Sequence, residues 1–229
     1  MTLHRFFVAP DVMRGERFPL PEEIAHQVHR VLRLQDGERL VLLDGSGEAA
    51  TVRLAGGACV VESRMPAGGE PVHRLVIWQA LLRGDHLEPV IRQGTEIGVA
   101  VFRLFVSERC VAREISPRRL ERLQAVAREA AEQSERGMVP PVAAPVPLRD
   151  ALEPPSVLLY ERADGPRLGS LTPPASLLIG PEGGFSPSEV AAAEQSGVTV
   201  AGLGPRILRS ESVALAAAAV VLSRSGDFA

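Results

Sequence analysis

"SLLIGPEGGFSPSEV", Ser176 to Val190, sets the architecture. The apolar run Ser176–Ile179 predicts a buried strand. Ser186-Pro187-Ser188-Glu189 predicts a capping box with proline at the first helical position. Between them lies Gly180-Pro181-Glu182-Gly183-Gly184-Phe185. The order is therefore strand, glycine loop, helix. Glycines at such a junction permit positive φ and let a ligand come close to the backbone. A phosphate loop is excluded, because Gly-Lys-Ser/Thr is missing and Glu182 would repel phosphate. An ordinary tight turn satisfies the same residues.

Outward from this stretch, strands and helices alternate. "RLVIWQALL" predicts a strand and "GDHLEPVIRQGTEIGV" a helix that tolerates Pro89 in its early turns. "VFRLFVSE" predicts a strand. "SPRRLERLQAVAREAAEQSER" predicts a long helix capped by Ser116, with Pro117 first. "PSVLLYERA" and "VTVAGLG" predict strands, and "ESVALAAAAVVLSRS" the closing helix. Such alternation implies an α/β fold with a parallel sheet covered on both faces. Ligands of such sheets lie at the carboxyl ends of the strands. The first 64 residues differ: short β runs punctuated by Gly and Asp surround one helix, "PLPEEIAHQVHRVLRL". "LLDGSGEAATV" predicts a hairpin turning at Asp44–Gly47. "MPAGGEP", Met65 to Pro71, predicts a linker. Two domains are expected, 1–70 and 71–229.

Length and composition fit one large or two small soluble domains. No apolar run approaches the roughly 20 residues of a membrane span, and the amino terminus lacks a signal-peptide layout. Cys59 and Cys110 have no metal-ligand spacing and predict buried thiols in a reducing cytoplasm. Net charge is −3, and all 25 basic residues are Arg, with no Lys and no Asn. Missing Asn suits a hot-living source; genomic base composition explains the Arg usage as well. Clustered Arg can still bind RNA, since the local field outweighs the sum.

Four further stretches carry candidate chemistry. "AGLGPRILRSES", Ala201 to Ser212, also joins a strand to a helix, and it offers Arg206, Arg209 and Glu211 beside apolar Leu203, Ile207 and Leu208. It fails the dinucleotide fingerprint, lacking the third Gly. Set beside the Gly180 loop, it predicts an apolar slot flanked by Arg; two solvated arginines are the plain alternative. His26, His29, Arg30 and Arg33 follow i, i+3, i+4, i+7 spacing and share a helix face, opposite Ile24, Val28, Val31 and Leu32. That stripe can contact phosphate or simply be solvated. No third ligand accompanies His26 and His29, so no metal is expected. Arg136, with Glu132 and Gln133, ends the long helix. Arg109 follows a strand.

Together "LLIGPEGGFSPSEV" and "LGPRILRSES" resemble the paired signature of the RsmE family. "RFFV", "HRVLRLQDGERLVLLDG", "EIGV…LFVSERC" and "AAEQSER" extend the resemblance through most of the chain. These are methyltransferases acting on N3 of a uridine in 16S ribosomal RNA, position 1498 in the family's usual numbering. The resemblance implies a PUA-like RNA-binding β-barrel, then a SPOUT-type domain with a trefoil knot holding S-adenosylmethionine, and a homodimer in the cytoplasm. It implies cofactor contacts from Leu159, Tyr160 and Glu161, from Ile179, Gly180, Glu182 and Gly183, and from Leu203, Gly204, Ile207, Leu208 and Arg209. Arg209 and Glu211 are the catalytic candidates. Arg5, His26, His29, Arg30, Arg33, Arg109, Arg136 and Arg206 are the RNA-binding ones. Gln93 and Met138 replace common basic residues, and Ser210 and Ser212 replace Thr. Two other readings remain open: a non-catalytic RNA-binding protein of this fold, and a SPOUT ribose 2'-O-methyltransferase.

Overall fold

A computed structural model describes residues 3–228. The chain forms two compact units, Met1–Glu70 with Ala131–Val139, and Pro71–Ala130 with Pro140–Ala229.

The first unit contains β1 (Arg5–Phe7), β2 (Arg17–Pro19), α1 (Glu22–His26), β3 (Arg39–Leu43), β4 (Glu48–Ala55) and β5 (Ala58–Pro66). Its sheet runs β1-β3-β4-β5-β2. β1 lies parallel to β3; the other ladders are antiparallel. Successive strand residues point to opposite faces, and both faces of β3 are covered. Phe6, Leu40, Leu42, Val52 and Leu54 pack with Ile24 and Val28 on one side. Phe7, Val41, Leu43 and Ala49 pack with Ala131 on the other. The expected hairpin forms: Asp44 accepts hydrogen bonds from the backbone N–H of Ser46 (2.8 Å) and of Glu48 (3.1 Å). Burial pushes the Asp44 carboxyl up, but the Ser46 side-chain and backbone bonds and the Glu48 bond hold it below its ordinary value.

Residues 131–139, expected within the second domain, pack in this unit. The Phe7 N–H donates to Glu132 Oε1 at 3.0 Å. The helix α1 also departs from expectation. From Gln27 to Val31 it widens to π pitch, with the Leu32 N–H bonded to the Gln27 carbonyl. The apolar spacing assumed α pitch, so it fails at the last turn: Ile24 and Val28 are buried, but Val31 is 63 % exposed.

The second unit contains β6 (Val76–Ala80), α2 (Leu87–Ile97), β7 (Val101–Val106), α3 (Pro117–Gln133, up to Ala130), β8 (Val142–Pro147), β9 (Val157–Leu159), β10 (Ser176–Ile179), α4 (Pro187–Gln195), β11 (Thr199–Ala201) and α5 (Ser210–Arg224). Every ladder of its six-stranded sheet is parallel, in the order β11-β9-β10-β6-β7-β8. Continuous apolar runs such as Leu177–Ile179 are buried throughout, as a sheet covered on both faces requires. α2 packs on α5. Gly94 permits a close approach to β7: a Cβ there would stand 2.7 Å from the Phe102 ring. α4 carries the full capping box, Ser186 with Glu189, and the Ser116 hydroxyl accepts from the Arg119 N–H at α3.

Candidate active site

Chain order reverses at β6. From β6 the sheet proceeds through β7 to β8 on one side, while β10 and β9 lie on the other. A crevice opens at the carboxyl ends of strands around such a switch point. Here the loops after β6, β9, β10 and β11 enclose a cleft of about 480 Å³, within the range of small-molecule sites. The residues expected at a cofactor, Leu159 to Glu161, Ile179, Gly180, Glu182, Gly183, Leu203, Gly204 and Ile207 to Arg209, line it. Arg206 and Glu211 do too.

The loops are tied to one another by named bonds. The Ser210 hydroxyl donates to the Gly180 carbonyl at 2.6 Å and accepts from Gln79 Nε2 at 2.9 Å. Both side chains are buried, so three segments distant in the chain meet at one hydroxyl. Glu182, whose role the sequence left open, accepts from the Arg83 backbone N–H at 3.0 Å. Its carboxylate therefore braces the glycine loop against the loop after β6. Arg109 Nη1 donates to the Gly183 carbonyl at 3.1 Å and braces the same loop. Gly184 has φ 66°, so glycine is needed for its conformation, and a Cβ there would lie 3.3 Å from Glu161 Oε1. Phe185 folds under the loop and stacks on Phe105, ring centroids 6.1 Å apart.

Arg206 and Arg209 bring positive charge to the cleft, beside Arg83, Glu161, Glu182 and Glu211. Both are exposed, and among the described residues neither side chain has a hydrogen bond or ion pair. Glu211, in the first turn of α5, instead faces His86: Nδ1 lies 3.4 Å from Glu211 Oε1. Carboxylate oxygens only accept, so Nδ1 carries the proton of that contact. His86 was not singled out from the sequence. The available signal was its place, immediately before a helix that follows a strand end.

Other candidates lie elsewhere. Arg5, His26, His29, Arg30 and Arg33 belong to the first unit. The last four are exposed, and Arg5 pairs with Glu135 at 2.9 Å. Arg136 corrects an expectation. It is 2 % exposed, and its Nε and Nη2 bond the two oxygens of Glu70 at 3.1 and 2.6 Å. A guanidinium so buried and engaged is a structural ion pair, with no face left for RNA phosphate. Among the described residues no group of three metal-ligating side chains exists, and no helix is long and apolar enough to cross a membrane.

Residues 69–222 match the family model described as an RNA methyltransferase domain, which gives the class of protein that this sheet and cleft belong to. The chain is 34 % identical over 222 residues to the ribosomal RNA small subunit methyltransferase E of Synechocystis, covering 90 % of this chain and 73 % of that one. It is 30 % identical over 246 residues to the Bacillus subtilis protein of the same name, covering 96 % of each. The crystal structure of the Neisseria gonorrhoeae ribosomal RNA small subunit methyltransferase E bound to S-adenosyl methionine superposes with a TM-score of 0.89 at 29 % identity, covering 97 % of this chain and 98 % of that one. The chain belongs to the ribosomal RNA small subunit methyltransferase E family.

Proposed function

We propose that this protein transfers a methyl group from S-adenosylmethionine to N3 of a uridine in the 16S RNA of the small ribosomal subunit. The observation that carries the reading is the cleft. It is a slot at the switch point, built from glycine-rich loops with apolar Leu159, Ile179 and Leu203 and two unpaired arginines, in a chain of this family.

The residues fit S-adenosylmethionine. Leu159, Ile179 and Leu203 offer apolar faces for a purine. Nothing stands within 4 Å of a Cβ built on Gly204, so the loop is open on that side. Glu161 offers negative charge to a cationic ligand. When bound, the cofactor supplies a methyl group already activated on a sulfonium. The chain's residues then have three tasks: align the base, exclude water, and favour the imide anion of uracil over its protonated form. Arg209 orients the base and stabilises its anion. Arg206 holds phosphate at the cleft; in the first unit, Arg30, Arg33, His26 and His29 also contact phosphate.

The first unit is assigned as a PUA-like barrel on the support of its small mixed sheet. The order β11-β9-β10 supports a trefoil knot in the second unit, and a cofactor-bound crystal structure tests both assignments. A homodimer is supported by Ile207, an apolar side chain 82 % exposed at the cleft; a monomer at every concentration in sedimentation would refute it.

Incubation with labelled cofactor and small-subunit RNA, naked or assembled, followed by nucleoside analysis, tests the function. N3-methyluridine is expected. Ribose-methylated uridine, or no cofactor binding in calorimetry, would replace this reading with one of the other two.

A further inference from the structure

We infer that His86 is the group that takes the N3 proton, with Glu211 holding its imidazole in place. The inference rests on uridine N3 as the acceptor. His86 lines the cleft with Glu211, Arg206 and Arg209, and the two side chains are 39 % and 18 % exposed. Glu211 engages Nδ1 at 3.4 Å. Neutral imidazole has one N–H, so fixing it at Nδ1 leaves the lone pair on Nε2. Among the described residues nothing hydrogen-bonds that nitrogen. A base with a free lone pair therefore stands at the edge of the cleft, oriented by a carboxylate behind it. This is the arrangement of a general base with an orienting group.

Chemistry favours the imidazole over the carboxylate. A uracil imide is a weak acid, and proton transfer is most effective when the base is not far weaker than the anion it creates. An imidazole is the stronger base of the pair by about two pKa units in ordinary peptides. Glu211 is also the more buried partner. Its negative charge favours the imidazolium once formed, so it acts as a positioning residue. In the step, the N3–H bond breaks and its proton goes to Nε2. The N3 electron pair forms the new bond to the methyl carbon, and the methyl–sulfur pair departs with sulfur. No other reactant is required. Arg83, Glu161, Glu182, Arg206 and Arg209 line the same cleft, Asp85 adjoins His86 in the chain, and Arg119 donates to the Gly84 carbonyl.

Two measurements test this. Nitrogen NMR of the cofactor-free protein reads the tautomer directly. Neutral His86 is expected protonated at Nδ1 and bare at Nε2, with the two tautomers mixing in Glu211→Ala; a wild-type ring protonated at Nε2 overturns the assignment. In turnover on small-subunit RNA, His86→Gln is expected to lower kcat by about 10²–10⁴-fold. It should abolish the acidic limb of the pH–rate profile and leave cofactor affinity by calorimetry unchanged. If the wild type makes N3-methyluridine and His86→Gln makes it equally fast, the proton acceptor lies elsewhere while the function stands. If the wild type makes no N3-methyluridine, the function and this inference fail together.

Discussion

Arg136 and Glu70 form a two-point ion pair with one partner nearly sealed from water. Removing the guanidinium leaves a partly buried carboxylate uncompensated, and that loss outweighs what the intact pair contributes. Arg136→Ala is expected to destabilise the protein by about 3 kcal/mol in urea unfolding, and to leave the salt dependence of RNA affinity unchanged. Cys59 gives a second residue-level expectation. Burial pushes its thiol from an ordinary 9.0 up to about 11. The folded state thus prefers the neutral form. The stability this contributes is complete below pH 9 and is lost as pH rises toward 11. With no Lys in the chain, few groups titrate in that window to mask it. The urea midpoint should fall between pH 9 and 11 in the wild type and flatten in Cys59→Ala.

At the scale of elements, α4 is the clearest case of local sequence deciding local structure. Its Ser186 hydroxyl caps the Glu189 N–H and donates to Glu108 Oε2 at 2.7 Å. Loss of such a cap typically costs about 1 kcal/mol, so Ser186→Ala should lower the unfolding midpoint, and Ser186→Thr should largely restore it. The same local logic made the strand–loop–helix units of the second half legible, because cap, proline and apolar run agree at each one. β2 and β8 went unread for a physical reason. Both are edge strands; β2 has three residues, and β8 carries Pro145, which an edge tolerates. The widened turn at Gln27–Val31 was equally invisible, since apolar spacing presumes a pitch and cannot report one. Within the site, residues supplied by glycine loops were legible from motif. Arg83 and His86 were not, because their part in the cleft depends on α2 packing against α5, a contact between segments far apart in the chain.

On the scale of the whole molecule, neither unit is a continuous piece of chain. The first needs Ala131 and Val139 for one of its two apolar clusters, Glu132 for the Phe7 amide and Arg136 for Glu70. A fragment of residues 1–70 lacks all of these. It should unfold at lower urea and with less cooperativity than the same unit in the full chain, as circular dichroism would show; an unchanged midpoint would mean that 131–139 are dispensable. The second unit is stitched over a longer span. Val76 pairs with Ser176, and α2 is covered by α5, which ends at Arg224. Long-range pairing of this kind is slow to form, and during synthesis it must also wait for its partner to be made. One edge of β6 stays open until Ser176 has left the ribosomal tunnel, and α2 stays uncovered until the final helix has followed. The cleft, drawn from four such late-meeting segments, therefore forms only after the chain has been made through Val213.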